Sequence, residues 1–247
     1  MNNMSVAFPV LEVGRDAEAV LVARPNRFLA IADIPSARMK NEPVHVHDPG
    51  RLEDILYPGN RLLLRRAANP GRKTAWDVIA GYAGGRWVLI NSAFHRSIAE
   101  RVLSDPAISP VGKADVLYAE KQLGSSRIDF LLEQGGTRLW IEVKGCTLSE
   151  EGKALFPDAP TARGTRHLEE LGHAVESGDR AALLVFIFRE EARCFYANGK
   201  IDPAFYRAFR DTLEKGVQVH PLVFGFRDGI ICYRGCIPLC PERIKNG

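Results

Sequence analysis

Three side chains in the stretch "SRIDFLLEQGGTRLWIEVKG", Ser126 to Gly145, suit metal or phosphate chemistry: Asp129, Glu142 and Lys144. Side chains alternate along a β-strand. In "RIDFLL", Ile128, Phe130 and Leu132 share an apolar face, and Asp129 lies on the other. In "LWIEVK", Leu139, Ile141 and Val143 share one face, and Glu142 and Lys144 lie on the other. A two-residue turn at Gly135-Gly136 pairs Gln134 with Thr137 and Glu133 with Arg138. The ladder then sets Phe130 opposite Ile141 and Asp129 opposite Glu142. Directly opposed residues have Cβ atoms about 4.5–5.5 Å apart, so two carboxylates placed this way repel. Two explanations fit. Arg127 and Lys144 neutralise the acids in a surface salt-bridge patch, or the carboxylates hold a divalent cation with Lys144 aimed at the reacting group. Glu100 in "SIAERV" is a candidate further carboxylate, and Glu120 in "YAEKQL" a lesser one.

The elements that must position these residues follow from the pattern. Up to about residue 90 the chain reads as short strands: "AVLVARP", "RFLAIADIP", "PVHVHDPG", "NRLLLRRA", "AWDVIAGY" and "RWVLINS". Turn signals at Pro25-Asn26, Pro49-Gly50, Pro58-Gly59, Pro70-Gly71 and Gly84-Gly85 separate them, which predicts a small barrel or sandwich. From Ser92 the texture changes. "SAFHRSIAERVLSDP" has helical spacing with Ser92 as cap, and carries Glu100. Strands at about 115–120, 126–133 and 138–144 follow. A second helix over "TARGTRHLEELGHAVESG" is capped by Thr161 and stopped at Gly178. Then come the apolar strand "AALLVFIFR", a third helix "DPAFYRAFRDTLEKG", and a hairpin at Asp228-Gly229. The expected domains are 1–90 and 91–247.

The 247 residues suffice for one large domain or two small ones. The net charge of +3 sits wholly within residues 1–90. Between Ile55 and Trp76 five bases, Arg61, Arg65, Arg66, Arg72 and Lys73, occur without an acid, a segment able to track phosphates. Trp76, Tyr82 and Trp87 are available for base stacking or for the barrel core. No apolar run approaches a membrane span, and the N-terminus lacks a basic-then-apolar leader, so the expected location is cytoplasmic. Five cysteines argue against a disulfide framework. Cys232, Cys236 and Cys240 are evenly spaced but lack a fourth metal ligand, so they are expected to be reduced thiols.

The arrangement helix, three strands, helix, strand, with Asp129 on the second strand and Glu142-x-Lys144 on the third, resembles the PD-(D/E)XK nuclease superfamily. A longer resemblance, to the sugar fermentation stimulation protein A (SfsA) family, spans nearly the whole chain. It rests on "VHVHDPGRLEDILYPG", "RKTAWDVI", "SSRIDFLLE", "IEVKGCTL", "FPDAPTARGTRHLEEL" and "GDRAALLVFIFR". Many members carry Pro-Asn-Thr-Gly-Arg-Met where this chain reads "HDPGRL". The resemblance implies a mixed α/β protein, with an N-terminal OB-fold β-barrel followed by a PD-(D/E)XK nuclease-like domain. It implies DNA as the partner and an effect on sugar, chiefly maltose, metabolism. As a nuclease, the chain would hold Mg²⁺ or Mn²⁺ through Asp129, Glu142 and the Val143 carbonyl. Lys144 would serve the reacting phosphate, and Glu100 would match the helical acid of some branches. Arg163, Arg166 and His167 would lie near the phosphates. The alternative is a non-catalytic DNA-binding regulator on the same scaffold.

Overall fold

A computed structural model describes residues 7–69 and 71–241. Pro70 of the expected Pro70-Gly71 turn, and the first six residues, lie outside the described residues. Packing divides the chain into two compact units. One comprises residues up to 112 together with 224–234; the other comprises 113–223 and the segment from 235.

The first unit holds β1 (Phe8–Glu12), β2 (Ala17–Asn26), β3 (Leu29–Ile34), β4 (Met39–His45), β5 (Arg61–Arg66), β6 (Trp76–Ala83) and β7 (Arg86–Leu89). Strands β2 to β7 form a sheet in the order β4-β3-β2-β5-β6-β7. Strand β4 also pairs with β6, Val44 with Trp76 and His45 with Asp77, which closes five strands into a barrel. Alternation puts Ala19, Leu21, Ala30, Ala32, Val44, Leu62, Leu64 and Val78 in its core. Small residues keep that barrel narrow. A Cβ on Gly81 would lie 2.2 Å from Ile55 Cγ2.

Helix α1 (His95–Ser104) groups with this unit, and the Arg101 guanidinium lies 5.4 Å from the centre of the Phe8 ring. Its expected cap is corrected. Asn91, not Ser92, caps the 3-10 turn Ser92–Phe94 that leads into α1, accepting from Ala93 N at 3.1 Å. Asn91 is buried and its amide also donates to Val78 O, so it satisfies the barrel and the helix entry together. The Ser92 hydroxyl donates instead to the His47 carbonyl.

The second unit contains β8 (Val116–Leu123), β9 (Ser126–Gln134), β10 (Thr137–Cys146), β11 (Leu148–Glu150), β12 (Lys153–Phe156), α2 (Ala162–Glu176), β13 (Arg180–Ile187), β14 (Cys194–Ala197) and α3 (Pro203–Glu214). Strand β15 (Gln218–Arg227) enters it through Gln218–Val223. The main sheet runs β15-β13-β10-β9-β8, and β11-β12-β14 form a small second sheet. Strand β13 pairs in parallel with both β10 and β15 and is buried from Ala181 to Ile187, which explains its unbroken apolar run. Asp228-Gly229 forms the expected turn into β16 (Ile230–Cys236), which pairs antiparallel with β1.

The expectation of reduced thiols is corrected for one pair. Cys194 and Cys240 form a disulfide, while Cys146, Cys232 and Cys236 stay free. Cys240 N donates to Phe195 O at 2.7 Å and Phe195 N to Pro238 O at 2.9 Å, so the tail lies along β14 and brings the sulfurs together. The even spacing of the last cysteines concealed a partner 46 residues upstream.

Two contacts fix α2. Thr161 caps it by accepting from Gly164 N at 3.1 Å, and Thr161 N donates to Asp202 Oδ2 at 2.8 Å. Asp202 also caps α3 through Ala204 N and Phe205 N, so one carboxylate joins the starts of two helices. Further along α2, Glu170 Oε1 accepts from Ser125 N and Ser125 Oγ, both at 2.8 Å, latching the helix to the β8–β9 turn. Gly124 has φ +52, and a Cβ there would lie 2.1 Å from Glu170 Oε2. Gly124→Ala should cost about 2–3 kcal/mol, from left-handed strain and the lost latch. Thermal unfolding of Gly124→Ala, Glu170→Ala and the double variant should be strongly non-additive, because one clash underlies most of the loss.

Candidate functional site

The site is built on the middle of the second unit's sheet. The β9–β10 register is the expected one: Thr137 opposite Gln134, Arg138 opposite Glu133, and Ile141 opposite Phe130. The backbone ladder ends there. One step on, Asp129 Oδ2 accepts from Val143 N at 2.8 Å, so a side chain takes the place of the next main-chain pair. It is the Val143 N–H that meets Asp129. Glu142 is 1% exposed, with Lys144 Nζ and His167 Nδ1 both on its Oε1. Its Oε2 is buried with no hydrogen-bond partner. His167 comes from the first turns of α2, is itself buried, and accepts at Nε2 from Arg163 Nε at 3.3 Å.

Electrostatics separates the two acids. Burial pushes the Asp129 carboxyl from its ordinary 3.8 up to about 6, and the neighbouring Glu142 carboxylate adds to the push. The Val143 N–H and the positive Lys144 oppose it. Burial acts on Glu142 too, but Lys144 and the His167 hydrogen bond outweigh it and hold this carboxyl below its ordinary value. Glu142 is therefore the more readily ionised of the two, fixed by two donors, and a neighbouring positive charge would lower the pH at which Asp129 ionises. Buried carboxylate oxygens, one of them unpartnered, are hard donors suited to Mg²⁺ or Mn²⁺. Among the described residues no three His, Cys, Asp or Glu side chains are grouped to hold a metal ion, so an ion here would rest on the two acids, backbone and water.

Most of the remaining predicted residues belong to other elements. Arg127 pairs with Glu120 at 3.5 Å and leaves the two site acids to Lys144 and His167. Glu120 carries a φ of +53 on β8. Glu100, in the first unit, accepts from Arg96 one helical turn away at 2.9 Å. Arg166 is exposed on α2. In the barrel unit, Arg61 pairs with Glu18 at 2.8 Å and lies over the Tyr82 and Trp87 rings. Arg66 lies 4.4 Å from the buried Trp76 ring, and Arg65 donates to Val13 O. Arg72 pairs with the buried Asp77 at 2.9 Å, and Lys73 is exposed. Tyr82 and Trp87 are only partly buried, so two of the three aromatics keep some ring surface in solvent. His167 carried a signal in the sequence. It falls beside Gly164, Leu168 and Leu171 on the buried stripe of α2, and a polar side chain there requires a partner.

A closed five-stranded barrel followed by an α/β sheet, with acids on two neighbouring strands and a lysine beside them, defines a two-part class of protein: an OB domain with an α/β companion. Residues 22–90 match the model of the SfsA N-terminal OB domain, and residues 93–229 match that of the sugar fermentation stimulation protein RE domain. This chain belongs to the SfsA family. It is 52% identical to the sugar fermentation stimulation protein homolog of Methanococcoides burtonii, over 96% of this chain and 97% of that one. It is 40% identical to the homolog of Thermotoga neapolitana, over 94% and 99%. The structure of Pyrococcus furiosus SfsA in complex with Ca²⁺ superimposes with a TM-score of 0.87 at 25% identity, covering 95% of this chain and all of that one. No helix among the described residues is long and apolar enough to cross a membrane.

The raised Asp129 carboxyl makes stability depend on pH. Its stabilising contribution is fully present below the unfolded value near 3.8 and is lost as pH rises through about 6. Asp129→Asn keeps an acceptor for Val143 N and cannot ionise. In chelator-treated buffer the stability of the variant relative to wild type should therefore rise between pH 4 and pH 7, by on the order of 2–3 kcal/mol. Thermal denaturation at stepped pH reads this; a flat difference would mean that Asp129 ionises without cost.

Proposed function

We propose that the chain is a metal-dependent phosphodiesterase acting on DNA, with residues 1–90 contributing to nucleic-acid binding and 91–247 carrying the chemistry. The observation that supports this most is Glu142. A sealed carboxylate with one oxygen saturated and the other unpartnered, beside a second carboxyl reluctant to ionise, is costly in a fold that only binds phosphate. The Ca²⁺ complex of the Pyrococcus relative supports a divalent ion as a ligand of this fold. In the proposed site Asp129, Glu142 and the Val143 carbonyl hold Mg²⁺ or Mn²⁺. Bound there, the ion supplies an acidified water and charge for the phosphate.

The protein's own groups do the rest. Lys144 neutralises Glu142 before substrate arrives and offers a point cation to the phosphate afterwards. Arg166, exposed on α2, meets the flanking backbone. Glu100 stays outside this set, because its carboxylate is already engaged by Arg96. In the barrel unit Lys73 and Arg66 are exposed, whereas Arg61 and Arg72 are tied to Glu18 and Asp77. The exposed Lys73 and Arg66 serve equally a second reading, a DNA-binding regulator of sugar metabolism that does not cut.

Labelled single- and double-stranded DNA with Mg²⁺ or Mn²⁺ decides between them. Wild type should cleave. Lys144→Ala and Glu142→Ala should each lose at least about 100-fold in rate, the scale of removing one group that stabilises transition-state charge. Wild type that binds DNA but cuts nothing under either metal supports the regulator. For binding, Lys73→Ala and Arg66→Ala should each flatten the slope of log K against log salt by about 1. Titrations at several salt concentrations measure this, and an unchanged slope would place DNA on another surface.

A further inference from the structure

We infer that His167 is a positioning residue of the carboxylate site and that Arg163 sets its tautomer, so that Glu142 presents Oε2 alone to a divalent cation. The inference rests on the proposed reading of Asp129 and Glu142 as a cation site. An arginine Nε–H can only donate, so its contact with His167 Nε2 makes that nitrogen an acceptor. A neutral imidazole then carries its proton on Nδ1, the nitrogen that faces Glu142 Oε1. The order of donation runs Arg163 Nε–H to His167 Nε2, and His167 Nδ1–H to Glu142 Oε1.

Lys144 Nζ occupies the same oxygen. With two donors on Oε1, the carboxylate cannot turn over without breaking both contacts inside a sealed sheet. Oε2, buried and without a partner, is left as the only oxygen of Glu142 for an ion. Both α2 residues reach the site because Thr161 and Asp202 fix the start of the helix. Residues one shell out from a metal commonly orient its ligands and set affinity by one to two orders of magnitude. Arg163 thereby takes a role different from the phosphate contact its charge suggested. Its Nε faces inward to a buried histidine, although the residue as a whole is exposed.

The sign of one substitution separates this role from simple charge. Removing a cation near an acidic site should strengthen divalent binding by Coulomb's law. If Arg163 acts by holding His167, Arg163→Ala should weaken it instead. The test is calorimetric titration of the full chain with Mn²⁺, without nucleic acid, beside NMR of the imidazole nitrogens. Wild type should bind Mn²⁺ and show His167 protonated at Nδ1. His167→Leu should weaken Mn²⁺ about 10- to 100-fold. His167→Asn should stay within about threefold of wild type, because its amide N–H replaces Nδ1–H. Arg163→Ala should weaken Mn²⁺ severalfold and shift His167 toward the Nε2–H tautomer. If His167→Leu does not fold, the exposed Arg163 and the conservative Asn variant decide. Equal affinity in all variants, or tighter binding in Arg163→Ala, overturns the inference while leaving the cation site in place. Wild type that binds no Mn²⁺ overturns both. Loss of cleavage plays no part in this test, so failure of the phosphodiesterase reading is distinguishable from failure of the positioning role.

Discussion

A negative charge sealed inside a β-sheet has to be met by positive charge and hydrogen bonds, or it will not remain a charge. Glu142 sets that condition for the second unit. It sits on β10, between the antiparallel β9 and the parallel β13, where solvent cannot reach it. Lys144 comes from the same strand, two residues on, and costs the fold nothing in topology. His167 is different. It has to be delivered by a helix that begins after the β11–β12 pair, and much of the surrounding architecture serves that delivery.

The delivery is made by short polar contacts rather than by the apolar core alone. Asp202 binds Thr161 N while capping α3, so the two helices share one anchor at their starts. Asn198 holds the approach to α2, donating to Pro157 O through its side chain and to Phe156 O through its backbone. Glu170 then ties the other face of α2 to the turn between β8 and β9, the strand that carries Asp129. Helix and hairpin are thus located against each other at two separated points, with the carboxylates between. The apolar cluster of Ile128, Trp140, Leu171 and Ala174 fills the space behind them.

Much of this was legible in the sequence where local rules are strong. Gly135-Gly136 fixes a two-residue turn, and the register follows to Phe130 opposite Ile141. The next step was hidden, because the Asp129 side chain competes for the Val143 N–H that a regular ladder would use. Thr161 and Asp202 announce their helices by type and position, whereas Ser92 looked like a cap and lost to the buried Asn91. Strands β11, β12 and β14 are three or four residues long and draw their order from distant partners. The Cys194–Cys240 bond and the pairing of β1 with β16 likewise join segments far apart in the chain, where composition and spacing carry no information. His167 stood between these cases: its burial was readable from the helical stripe, its partner was not.

The division of the chain at residues 112, 223 and 234 bears on how such a protein can be assembled over evolutionary time. Strands β2 to β7, which form the barrel and its edge strand, are contiguous and make a cassette that recombination can move intact. The unit around them is not. Its β1 is completed by β16, which follows the whole of the second unit's sheet in the chain. A fragment carrying only the first 112 residues would leave β1 an open edge, prone to pairing with whatever strand it met. A fragment beginning at 113 would carry β16 without its mate. Fusion or exchange of the two halves is therefore penalised at the protein level, and inheritance as a single reading frame is favoured.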